Sequence, residues 1–60
     1  MNASQVHIVA QQLLETYGSR AVSLAAQKAQ ELDRDGDSKQ AQDWRRIEAA
    51  LVVLSGPSAS

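Results

Sequence analysis

The sequence predicts an all-α fold, a compact three-helix mini-domain with very short turns at Gly18 and Gly36. Three observations predict it. Apolar residues recur at three- and four-residue spacing in three successive runs, the period of a helix that buries one face. Gly18 and Gly36 stand where the first and second runs stop, and glycine suits a helix stop because it readily takes a left-handed backbone conformation. Ala and Gln are abundant, Phe is absent and β-branched runs are short, so helix formers dominate.

The first run begins near Asn2 or Ser4, either of which can cap a helix, and Gln5 stands three residues after Asn2 as in a capping box. Its stripe is Val6, Val9, Ala10, Leu13, Leu14 and Tyr17, with Ile8 on the opposite side. Ser19 is positioned to cap the second helix, whose stripe is Val22, Ala25, Ala29 and Leu32, flanked by Ala21 and Leu24. The alanines let helix axes approach closely but contribute little burial each. Asp37 is a good N-cap for the third helix, with Gln40 at the capping-box position. Ala41, Trp44, Ile47, Leu51 and Leu54 form the third stripe, and Val52 and Val53 fall beside it. Gly56 and Pro57 end the pattern.

One domain is expected over residues 1–55, with helices at about 4–17, 19–34 and 38–54, and a disordered tail over 56–60. The expected core is Val6, Val9, Leu13, Tyr17, Val22, Leu32, Trp44, Ile47 and Leu51. Trp44 is the expected main plug. The second and third helices should form a hairpin about Gly36, while the angle of the first is left open by its minimal linker. A chain of this size buries only roughly 60% of the surface its unfolded form exposes, so its stability is marginal.

Composition removes several functions. Without Cys there are no disulfides, zinc-thiolate sites or thiol nucleophiles. Six Lys and Arg against seven Asp and Glu give a net charge of −1, with no global field to draw the chain onto nucleic acid or an anionic membrane. No run approaches the roughly 20 apolar residues that span a bilayer. No basic region followed by an apolar block opens the chain. A cytoplasmic location is therefore expected, with neither nucleic acid nor membrane as partner. His7, the single histidine, has Ala10 and Gln11 at the positions where a metal or acid–base partner would sit. No serine lies in a nucleophile elbow, and no glycine-rich phosphate loop is present. No catalytic residue and no cofactor are expected, and the chain is not expected to be an enzyme.

The segment LDRDGDSKQAQDW, residues 32–44, is the most suggestive stretch. Its aspartates Asp33, Asp35 and Asp37 match the first three ligand positions of an EF-hand calcium loop flanked by helices. The second half departs from that pattern. Ser38 replaces the glycine at the sixth position, Gln40 stands at the eighth, and Trp44 replaces the bidentate glutamate at the twelfth. Weak calcium binding through residues 33–44 is thus the alternative to a glycine-stopped, aspartate-capped turn.

Trp44 with Arg45 and Arg46 has the composition of an interface hot spot and can stack on bases, yet Trp44 lies on the apolar stripe. Even with Lys39 and Arg34 added, the basic footprint for nucleic acid is poor. The off-stripe residues Ile8, Leu24, Val52 and Val53 remain. Scattered exposed aliphatics are ordinary, and the alternative, raised by several on a marginal domain, is a second buried face that would contact a protein partner or a second copy in a homo-oligomer.

With these patterns laid out, the chain resembles a group of small all-helical proteins of bacteria, proteobacteria especially, that have no established activity. The resemblance rests on Tyr17-Gly18, the alanine-rich run from Ala21 to Ala29, Gly36-Asp37, and Ala41, Trp44 and Ile47 in the spacing Ala-x-x-Trp-x-x-Ile, and it covers Val6 to Leu54. It implies a compact helical fold and brings no activity with it. In proteins of this look the turn is often less acidic, which argues against a calcium role for Asp33 and Asp35.

Overall fold

A computed structural model describes residues 1–56. Three helices, α1 (Ala3–Tyr17), α2 (Ala21–Arg34) and α3 (Ser38–Leu54), pack into a compact all-α unit. Of the tail expected over 56–60, residues 57–60 lie outside the described residues. Among the described residues no helix is long and apolar enough to cross a membrane.

Each helix end has a local cause. Asn2 Oδ1 accepts the Gln5 N–H at 2.8 Å, and the Asn2 N–H donates to Gln5 Oε1 at 3.1 Å. Two N–H groups that the first turn leaves without intrahelical partners are thereby satisfied. Gly18 (φ 60°, ψ −133°) closes α1, its N–H donating to the Leu14 carbonyl. Ser19 does not cap α2, contrary to the sequence expectation. A 3-10 turn over Gly18–Arg20 runs straight into α2, so Ser19 is already inside helical backbone and no side chain caps that helix.

At Gly36 (φ 84°) the chain makes a Schellman stop. The Asp37 N–H donates to the Leu32 carbonyl at 2.8 Å and the Gly36 N–H to that of Asp33 at 3.1 Å. Asp37 also begins α3, its Oδ1 accepting the Gln40 N–H at 3.1 Å. The reciprocal half of the expected capping box does not form, because the Asp37 N–H is already committed to Leu32.

Helices α2 and α3 form the expected hairpin and share the largest interface. Helix α1 packs mainly on α3 and only slightly on α2. The core is Val6, Ala10, Ala21, Ala25, Ala29, Ala41, Ile47 and Leu51. Five of these eight are alanine, and among the described residues Ile47 and Leu51 are the only large side chains fully enclosed.

Five expectations for the core are corrected in degree. Val9, Leu13, Val22 and Trp44 pack against the cluster but are only partly buried. Trp44 therefore covers the core rather than plugging it, and Leu32 is likewise half-buried. Tyr17 is not a core residue at all. It is the last residue of α1, where the chain turns away, and it is 47% exposed.

Candidate functional site

Apolar surface left uncovered by the packing is the main candidate. Ile8 is 52% exposed on α1, Val52 51% and Val53 76% exposed at the end of α3. Helical geometry accounts for this. Leu51 points into the core, and the next two residues are turned away from it by about 100° and 200°. Leu24 was expected on the same surface. It is half-buried on α2 instead. Tyr17, expected in the core, adds an exposed aromatic. Ile8 also borders a shallow depression with Ala3, Ser4 and His7. His7 is exposed there.

The acidic stretch is occupied by structural bonds. Asp33 Oδ2 accepts from Arg45 Nη2 at 2.7 Å, and Asp37 Oδ1 accepts from the α3 backbone. Asp35 is exposed at the end of α2. Among the described residues no three side chains of His, Cys, Asp or Glu come together as a metal site would need. Asp33, Asp35 and Asp37 thus do not converge into the first half of a calcium loop.

The arginines after Trp44 are engaged as well. Arg45 holds Asp33, and Arg46 Nη1 reaches the Met1 carbonyl oxygen at 3.5 Å. The Met1 ammonium stands 3.6 Å from Asp43 Oδ1. The head of α1 is therefore tied to the first half of α3. The sequence contains no local signal for this contact, because it joins residues more than 40 apart. The Asp33–Arg45 pair follows from the hairpin about Gly36, which brings the end of α2 beside the start of α3.

No family model, curated protein or solved structure matches the chain.

Proposed function

We propose that this chain is a non-enzymatic helical interaction module that binds a protein partner, or itself, through an exposed apolar helix face. The observation that supports this reading is the adjacent pair Val52 and Val53 at the end of α3, with Ile8 on α1 as a further exposed aliphatic. Isolated exposed aliphatics are ordinary. Here the three of them match in number the buried side chains larger than alanine among the described residues, which are Val6, Ile47 and Leu51. A domain with so small a core gains stability from any partner that covers such a surface, because binding to the folded state alone draws the equilibrium toward it.

Sedimentation at micromolar concentration tests the self-associating form, with the double variant Val52→Ser and Val53→Ser as comparison. Association in the parent and its loss in the variant, at unchanged helicity, is the expected result. If neither chain associates, affinity capture from a bacterial lysate with both chains tests for a separate partner. Identical capture profiles for the two would remove the proposal.

A further inference from the structure

From Tyr17 to Ala21 the only residue shown outside helical space is Gly18. Tyr17 (φ −112°, ψ −10°), Arg20 (φ −82°, ψ −12°) and Ala21 (φ −60°, ψ −39°) are right-handed helical, and Ser19 lies within the 3-10 turn. Gly18 alone departs, at φ 60° and ψ −133°. The reversal between α1 and α2 therefore depends on one residue.

Two further observations bear on that reversal. The Ala21 N–H donates to the Gly18 carbonyl, but no side chain caps α2, so the N–H groups that follow in its first turn have no side-chain acceptor. In a continuous helix those groups would donate to carbonyls four residues back. Helix α1 packs on α3 through Val6 and Ala10, with Val9, Leu13 and Leu14 partly buried beside them. Val6 and Ala10 are its only buried residues, and it makes little contact with α2. The contacts at its head, 3.6 Å to Asp43 and 3.5 Å from Arg46, are long for charge-assisted bonds.

We propose that Gly18 is a one-residue switch between this compact fold and an open form in which α1 and α2 are one helix over residues 3–34. A second copy of this chain completes the open form, its α1 occupying the place vacated on α3. The occupant is identified by fit. The face on α3 carries Ile47 and Leu51, and Val6 and Ala10 of α1 already pack in the same cluster. Exchange of an identical element keeps those contacts and yields a symmetric dimer. This surface is the covered one, distinct from that of Ile8, Val52 and Val53.

The variant Gly18→Ala is a clean test, because a Cβ at Gly18 would meet nothing within 4 Å. The Gly18 angles lie outside the left-handed helical well, in backbone space that L-residues rarely enter, and alanine disfavours them by roughly 5- to 160-fold. It favours a helix interior over glycine by about 4- to 5-fold. Together these move the open-to-closed ratio by roughly 20- to 800-fold. The expected result is a dimer at tens of micromolar with undiminished helicity. In mixed labelled and unlabelled samples, isotope-filtered NOEs should join Val6 of one copy to Ile47 of the other.

A monomer of lowered melting temperature, or an unfolded chain, overturns the proposal, since either shows that the open form has no stable outlet. A dimer whose interchain NOEs run through Ile8, Val52 and Val53 overturns it too, while supporting the exposed-face reading. A synthetic chain with D-alanine at position 18 gives the opposite test. The mirror image of the Gly18 angles is ordinary extended backbone, so a D-residue adopts them without strain. That chain should be a monomer of raised melting temperature, and a dimer would contradict the switch.

Discussion

Arg45 reaches back across the Gly36 turn and donates from Nη2 to Asp33 Oδ2 at 2.7 Å, pinning the start of α3 to the end of α2. The pairing has an electrostatic reason. Glu31, Asp33 and Asp35 crowd the C-terminal end of α2, where the helix dipole is negative and acidic groups are unfavourable. Both partners are about half exposed, so solvent screens the pair. A double-mutant cycle on Asp33→Asn and Arg45→Gln should give a coupling of about 0.2–1 kcal/mol. The coupling should shrink as salt approaches molar concentration. Denaturant midpoints of the four chains at two salt concentrations provide the measurement.

The same pairing bears on calcium. A cation at residues 33–37 would have to displace Arg45 from Asp33 and share the Asp37 carboxylate with the backbone of α3. Calorimetric titration should therefore release no resolvable heat, and millimolar calcium should leave the melting temperature where it was. A clear rise would contradict this account of the loop.

Leu51 and Val53 lie two residues apart and should differ sharply. Leu51 is fully enclosed, whereas Val53 is 76% exposed. Truncating a buried leucine to alanine costs about 2–5 kcal/mol. Domains have roughly 0.05–0.15 kcal/mol of stability per residue, so a chain of this length has little beyond that loss. Leu51→Ala should be largely unfolded by far-UV circular dichroism at 37 °C. Val53→Ala should stay within about 0.5 kcal/mol of the parent.

What the sequence made legible was whatever is decided within a few residues. The Gly18 and Gly36 stops, the Asn2 capping box and the Asp37 cap each depend on one local geometry, and each was readable. Ser19 misled because a 3-10 turn carries helical backbone through it, a choice made by the Gly18 dihedrals rather than by the serine. Tyr17 continues the stripe on paper, but the stripe outruns the packing at the end of α1. The preference of α1 for α3 over α2 was not legible, since an apolar stripe does not name its partner. The exposure of Ile8, Val52 and Val53 followed from periodicity, and the half-burial of Leu24 did not.

Gly36 offers a test of conformational preference without packing. Its φ is 84°, and a Cβ there would meet nothing within 4 Å. Alanine at this position should cost about 1–2 kcal/mol from backbone strain. In a domain this small each kcal/mol lowers the melting temperature by roughly 4–8 °C. Asparagine tolerates a helix stop better than alanine, so Gly36→Asn should fall between the two. Thermal melts of the three chains give the order.

Trp44 is the one tryptophan, so its fluorescence reports the packing it takes part in. It rests on the core cluster without being enclosed. Fully buried aromatics cost about 3–5 kcal/mol on truncation, and the exposed part of this indole stands outside that loss. Trp44→Ala should therefore cost about 2–3 kcal/mol, at or below the low end of that range. Trp44→Leu keeps apolar cover over Ile47 and Leu51 and should recover part of the difference. In the parent chain, unfolding should shift Trp44 emission to the red with the same midpoint as the far-UV signal. Noncoincident midpoints would mean that the cover over the core opens before the helices melt.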